Sequence, residues 1–116
     1  MKTFKLKDST YQTNITVLYG TLADYNKYVG RRGLQEEKEE DTTGMHVFYT
    51  TKIDNYHLIW VSTKEPRIKM INTLAHELIH LVMKRFTYIG IPINKKNDEA
   101  FAYFYASLLE QAIKKL

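Results

Sequence analysis

The sequence of 116 residues contains no cysteine. Disulfide bonds and thiolate metal ligands are therefore excluded, and a bound metal would have to use histidine, aspartate, glutamate or water. Long apolar runs are missing too: the chain has no apolar stretch of about 18 residues, and its first residues, MKTFKLKDST, lack the apolar segment of a signal peptide. We therefore expect a cytoplasmic protein without a membrane segment.

A continuous basic surface is also absent, although the formal net charge is +4. The lysines and arginines fall in scattered pairs, and residues 36–41 carry five acids around Lys38. Domains that bind nucleic acids usually cluster their positive charge on one face, often with aromatic residues between the charges. We therefore expect no specific nucleic-acid partner, and we interpret residues 34–43 as an exposed, charged loop.

The composition that remains is that of a folded domain, with 44% hydrophobic and 26% charged residues. A chain of this length fits one domain, residues 1–116. Residues 14–19 are apolar and β-branched and predict a strand, while residues 45–51 and 57–63 are two strand-like runs joined by the turn residues Asp54 and Asn55 and predict a β-hairpin. Between the strand and the hairpin, Thr21 is a suitable cap for a short helix that ends near Val29.

The second half of the chain has helical periodicity. Apolar side chains recur at three- and four-residue spacing over residues 67–86, and Ser62 and Thr63 supply hydroxyl groups for a cap before them. A second helix is predicted over residues 97–115. The predicted fold class is α+β, a small antiparallel or mixed sheet packed on these two helices.

The most informative segment lies inside the first of these two helices. Residues 76–80 read His-Glu-Leu-Ile-His, the pattern H-E-x-x-H. In a helix, His76 and His80 are one turn apart on the same face, so both imidazoles can bind one zinc ion while Glu77 lies beside the metal-bound water. The sequence therefore predicts Zn²⁺ as cofactor, His76 and His80 as ligands, and Glu77 as the general base of a hydrolytic reaction.

A catalytic zinc site usually has three protein ligands and one open position. The candidates for the third ligand are Glu99, Asp98, His46 and His57. We favour Glu99 because it begins the last helix and shares a face with Ala102 and Ala106, two small residues that would let the helices approach closely. Asp98 is the alternative, although its carboxylate could instead cap the last helix.

These residues carry a resemblance to a known family. Residues 76–80, followed by Asn-Asp-Glu-Ala at 97–100, resemble the active-site helix and the glutamate helix of gluzincin metallopeptidases. The size and the order of elements are similar to those of minigluzincins and of small zincin-like proteins of bacteria and phages, over roughly residues 45–112. The resemblance implies zinc, hydrolysis of a peptide or protein substrate, and an upstream edge strand that binds the substrate in extended form.

The chain departs from the larger gluzincins at two places. Four residues after Glu99, where many members carry an aspartate that orients a histidine ligand, this sequence has Tyr103. The chain also ends soon after the glutamate helix, so a residue that stabilises the oxyanion has to come from elsewhere; Tyr88, Tyr103 and Tyr105 are candidates. A zincin-like regulatory module without turnover, and an interaction protein without a metal, are the alternative functions.

Overall fold

The computed structural model describes all 116 residues and has an α+β fold with one four-stranded mixed sheet and three helices. In chain order the elements are β1 (Lys2–Leu6), β2 (Ile15–Gly20), α1 (Leu22–Gly30), β3 (Gly44–Thr50), β4 (Asn55–Ser62), α2 (Arg67–Ile89) and α3 (Asp98–Ile113). The strand order in the sheet is β1-β2-β4-β3. The α+β prediction is therefore confirmed.

The sheet combines both kinds of strand pairing. β2 and β4 are its central strands and run parallel, whereas β1 pairs with β2 and β3 pairs with β4 in antiparallel fashion. The predicted hairpin of β3 and β4 is confirmed. β3 has β4 as its single neighbour, so the outer edge of β3 is an edge of the sheet.

Alternation along β4 divides the core between the two faces of the sheet. Ile59 and Val61 belong to the larger cluster, which packs β1 and β2 against α2 and α3. Leu58 and Trp60 point to the other face and pack against α1. Helix α2 therefore lies on the same face as the odd-numbered residues of β4, which fixes where the H-E-x-x-H motif sits.

Helix α1 begins as the sequence predicts. The Thr21 side chain accepts a hydrogen bond from the backbone N–H of Asp24, and the Asp24 carboxylate accepts one from the backbone N–H of Thr21. This reciprocal pair is a capping box, which satisfies two backbone donors at the start of the helix.

Helix α2 differs from the prediction at its start. Pro66 is the cap residue and no side chain caps the helix; the Ser62 hydroxyl instead accepts a hydrogen bond from the backbone N–H of Lys64. The predicted hydroxyl cap is therefore wrong, because β4 continues through Ser62. Ile68, predicted in the apolar stripe, is 71% exposed because the first turn extends beyond the sheet. The helix ends at Gly90, which has a φ of 81°, a conformation that glycine adopts without strain.

Helix α3 packs through the apolar stripe predicted for it, with Phe104 and Leu108 buried. The neighbouring face, which contains Ala102 and Ala106, is exposed to solvent. The expectation that these alanines pack against α2 is therefore wrong: the aromatic stripe is broader and buries more apolar surface. Asp98 is the first helical residue rather than the cap residue, which is Asn97, so its alternative role as a cap is also wrong.

Strand β1 is an element that the sequence patterns did not reveal. It is tied to α3 by hydrogen bonds from the Lys2 ammonium to the Lys115 carbonyl, at 2.8 Å, and between Gln111 and the backbone of Lys7. Neither α2, the longest helix, nor any other helix is long and apolar enough to cross a membrane.

Candidate metal centre

Three side chains of α2 converge at one point on its surface. The ligand atoms of His76, Glu77 and His80 all lie within 4.8 Å of one another. The two Nε2 atoms of the histidines are 3.1 Å apart, and their rings meet edge to face. The structure therefore brings together the three residues of the motif.

The helix positions each of these groups differently. His76 and His80 are exposed, whereas Glu77 is buried against the sheet. Because consecutive residues of a helix are about 100° apart, Glu77 is turned toward β3 while the imidazoles remain open to solvent. A ligand can thus reach the histidines from outside and meet the carboxylate at the edge of the core.

Gly44, the first residue of β3, allows the strand to lie close to this part of α2. A Cβ atom at Gly44 would collide with the Thr73 methyl group, and it would lie 3.1 Å from the Trp60 carbonyl oxygen and 3.4 Å from Cγ of Glu77. The missing side chain therefore lets the edge strand pack directly beside Glu77.

Burial changes the ionisation of Glu77. Removal of its carboxylate from water raises the pKa of Glu77, while the nearby His76 and His80 lower it by a smaller amount. A carboxyl group with a raised pKa is a better acceptor and donor of protons near neutral pH than an exposed one. This is the ionisation expected of a general base.

The donor set fits a zinc ion. Two imidazole nitrogens bound to one tetrahedral zinc at about 2.0–2.1 Å are about 3.4 Å apart. The observed separation of 3.1 Å needs only a small rotation of the rings to reach that value. Both histidines offer Nε2, an ordinary zinc-binding atom.

The carboxylate candidates for the third ligand lie on α3. Glu99 and Asp98 are exposed in the first turn of α3 and are not part of the three-residue group. The ligand role of Glu99 stays a prediction.

His46 and His57 form a pair of their own under α2. Nε2 of His46 and Nδ1 of His57 are 2.9 Å apart, so one ring donates to the other, and the rings are nearly parallel. Burial lowers the pKa of His46 to about 4 and that of His57 to about 3. Nearby His80 and Lys84 also lower the pKa of His46, and nearby His46, Arg85 and Lys84 also lower that of His57. Both imidazoles are therefore neutral near pH 7.

The position of His46 follows from its neighbours on β3. Gly44 lies against Thr73 and Glu77, and the Phe48 ring packs 5.0 Å from the Tyr88 ring. His46 lies midway between these contacts on the same strand face, beside the C-terminal half of the motif. The sequence placed His46 and His57 in the hairpin but held no signal that they pair, because the pairing depends on the register of β3 against β4.

The three tyrosines named as oxyanion candidates have different environments. The Tyr105 hydroxyl donates a hydrogen bond to the Ala75 carbonyl at 3.2 Å, so it joins α3 to the motif helix. Tyr103 is 74% exposed, and half-exposed Tyr88 packs against Phe48. The oxyanion role of each tyrosine stays a prediction.

A polar pocket of about 470 Å³ adjoins His76 and Glu77. None of its lining residues is hydrophobic; they are Asp41, Thr42, Thr43, Gly44, Asn72, Thr73, His76 and Glu77. The loop residues of this pocket were interpreted from the sequence only as part of a charged loop. Loop residues have no periodicity, so the sequence held no signal that they meet α2.

No protein-family model, curated protein or solved structure matches this chain. The class that the structure itself defines is a small α+β domain with a His-Glu-His cluster on the surface of its longest helix.

Proposed function

We propose that the protein is a zinc-dependent metallopeptidase in which Glu77 acts as the general base. The proposal depends above all on one observation, the convergence of two exposed imidazoles and one buried carboxylate on a single helical turn. The two Nε2 atoms lie 3.1 Å apart on an exposed helix face beside a desolvated carboxylate, which is the set of donors that a zinc ion and its bound water need.

Each residue of the cluster has a separate task. His76 and His80 would hold Zn²⁺, with Glu99 as the proposed third ligand. Bound zinc supplies a Lewis acid for the scissile carbonyl and an acidified water for attack. Glu77 would accept the proton of the attacking water and pass it to the leaving amine, and its raised pKa suits both transfers.

The edge of the sheet supports a peptide as the substrate. β3 has no strand on its outer side, and it runs beside α2 at the level of Glu77. An extended peptide that pairs with a free edge gains backbone hydrogen bonds whatever its sequence. Such pairing would align a peptide bond with the cluster on α2.

The experiment combines metal analysis with peptide cleavage. Protein purified without chelator should contain about one equivalent of zinc, and it should cleave unstructured peptides in a manner that a chelator abolishes. Glu77→Gln has the same shape as the native residue and should keep the zinc, but it should lower kcat by roughly two to four orders of magnitude.

The variant also serves as the control, since a contaminating protease would be unaffected by a change in this chain. Cleavage that persists in Glu77→Gln would contradict the role of Glu77. Stoichiometric zinc without cleavage would instead favour the regulatory module, and absence of zinc uptake on titration would exclude both metal-dependent functions.

The third ligand is tested by a matched pair of substitutions. Glu99→Gln should weaken zinc binding at least tenfold because it removes the anionic oxygen donor, whereas Asp98→Asn in the same turn should leave it unchanged. Competition with a chromophoric chelator measures both affinities. The reverse result would assign the ligand to Asp98.

A further inference from the structure

The polar pocket beside the metal centre lies between two parts of the chain that are distant in sequence. The loop before β3 contributes Asp41, Thr42 and Thr43, and the second turn of α2 contributes Asn72 and Thr73. Its volume of about 470 Å³ lies in the range of about 300–1,000 Å³ that is usual for ligand sites. Most ligand sites are mainly apolar, and this one has no apolar lining residue.

The pocket and the metal centre form one continuous surface. His76 and Glu77 line the pocket as well as belonging to the zinc-binding cluster. The close approach of Gly44 to α2 keeps the loop beside these two residues. A peptide with its scissile bond at Glu77 would therefore have a neighbouring side chain within reach of the loop.

The lining has one kind of charge. Asp41 and Glu77 are the acidic residues, and no lysine or arginine lines the pocket. The remaining polar groups are three hydroxyls and the Asn72 amide, which offer acceptor oxygens, and the His76 imidazole, which is assigned to the zinc. Asp41 and Asn72 make no side-chain hydrogen bond within the protein, so their oxygens are available to a ligand.

We propose that this pocket binds the basic side chain of a lysine or arginine next to the peptide bond that is cleaved, with Asp41 as the residue that selects it. This inference rests on the proposed peptidase function and adds the class of substrate. The three to five N–H donors of a basic side chain match a lining that is rich in acceptors.

Other side chains fit this lining less well. An apolar side chain would find no apolar wall, so it would gain little from burial and would leave the hydroxyls without partners. An acidic side chain would meet the negative charge of Asp41 with no lysine or arginine in the lining; zinc held by His76 is the one positive charge nearby, and it belongs to the helix side of the pocket whereas Asp41 belongs to the loop side. The chemistry of the pocket therefore ranks basic side chains first and acidic ones last.

Two measurements test the proposal. The first is cleavage of a position-scanned peptide library by the zinc-loaded protein, with kcat/KM compared for lysine, norleucine and glutamate at each position. The second needs no turnover. Calorimetry measures the binding of short peptide hydroxamates that carry the same three side chains and attach to the zinc.

Asp41→Asn is the diagnostic variant, and Glu39→Gln is its matched control. Both remove one negative charge from the same exposed loop, but Glu39 lines a separate pocket near Met45 on the opposite face. Asp41→Asn should lower the preference for lysine over norleucine about three- to fivefold, as expected for a partly exposed ion pair. Glu39→Gln should leave the preference unchanged, and about 1 M salt should reduce the effect of Asp41.

The outcomes separate this inference from the function on which it rests. If the protein binds the lysine hydroxamate selectively and Asp41→Asn removes this selectivity, the proposed specificity of the pocket is supported, even if no peptide is cleaved. Cleavage or binding that favours norleucine would contradict the proposed specificity of the pocket, as would an equal response of the two variants. Neither result would contradict the peptidase proposal. If the zinc-loaded protein neither cleaves peptides nor binds any hydroxamate, the peptidase proposal fails and the pocket proposal fails with it.

Discussion

Among single residues, Gly44 is the one whose missing side chain lets β3 lie close to α2. Its missing side chain leaves room for the Thr73 methyl group, the Trp60 carbonyl and Cγ of Glu77. The Trp60 carbonyl belongs to the backbone of β4 and cannot rotate away. A methyl group at this position therefore has to push β3 away from α2 or distort β4.

We expect Gly44→Ala to lower the free energy of unfolding by about 1–3 kcal/mol, the usual cost of overfilling a packed site. Gly30→Ala is the control, because the nearest atom to a Cβ there is the Glu36 carboxylate oxygen at 3.6 Å, an ordinary contact. Urea denaturation of the metal-free proteins measures both changes. Equal stability of the two variants would show that β3 moves freely and that the close approach is unimportant.

Among single residues, the sequence predicted the proximity of those whose spacing along a helix brings them together. His76, Glu77 and His80 were predicted correctly as a cluster because a helix places residues i and i+4 together whatever surrounds them. The polar pocket and the His46–His57 pair were not predicted. Both depend on which strands become neighbours, and no local pattern encodes that.

Among the elements, β3 and β4 are joined by a pair of neutral histidines as well as by their backbones. His57 is fully buried, its Nδ1 contacts His46, and its Nε2 has no hydrogen-bond partner. Protonation of either ring is unfavourable, because the site is desolvated and lies near Lys84 and Arg85. The two strands therefore depend on pH for part of their stability.

The sign of this dependence follows from the lowered pKa values. Below the ordinary histidine pKa of 6.5, the unfolded chain binds protons at His46 and His57 while the folded chain, with pKa values of about 4 and 3, does not. Stability is thus fully present above pH 6.5 and is lost as the pH falls, by up to about 1.4 kcal/mol per pH unit for each histidine.

His57→Leu should reduce this slope between pH 6.5 and pH 5, although its stability at pH 7 should also be lower because His46 loses its partner. Urea denaturation at several pH values, in the presence of a chelator, measures the slope without a contribution from metal binding. Identical slopes for the native protein and the variant would contradict the assignment of the pH dependence to this pair.

The elements themselves were largely predictable. The six predicted strands and helices all exist, and their ends differ from the predictions by at most three residues. β1 was missed because Lys2, Thr3 and Lys5 interrupt its apolar pattern and only Phe4 and Leu6 turn inward. The parallel pairing of β2 with β4 was also not predicted, since it depends on how the intervening α1 and β3 pack on the sheet, and no local pattern encodes that.

For the whole molecule, the C-terminal helix is joined to the centre of the sheet by one buried hydrogen bond. The Tyr19 hydroxyl donates to the Ala112 carbonyl at 2.7 Å. Burial raises the pKa of Tyr19, so the hydroxyl is protonated and able to donate near neutral pH. The Ala112 carbonyl also accepts a hydrogen bond from the backbone N–H of Lys115 at 3.1 Å.

Tyr19→Phe should therefore lower the free energy of unfolding by about 0.5–1.5 kcal/mol, because one buried hydrogen bond is lost while the ring is retained and the Lys115 N–H still donates to the Ala112 carbonyl. Tyr103→Phe, on the exposed face of α3, is the control and should have an effect below about 0.5 kcal/mol. Thermal unfolding followed by circular dichroism measures both. A loss of zinc binding in Tyr19→Phe would show in addition that the position of α3 matters to the metal centre.

The hydrogen bonds that join the β1 and α3 segments also limit when the fold can be completed during synthesis. The contact between Lys7 and Gln111 spans 104 residues, so the first strand to be synthesised meets its partner helix only when synthesis of the domain is almost complete. β3, β4 and α2 are all made before α3. The apolar face of α2 therefore emerges before α3 is present to cover it, and the nascent chain is most exposed to aggregation during that interval.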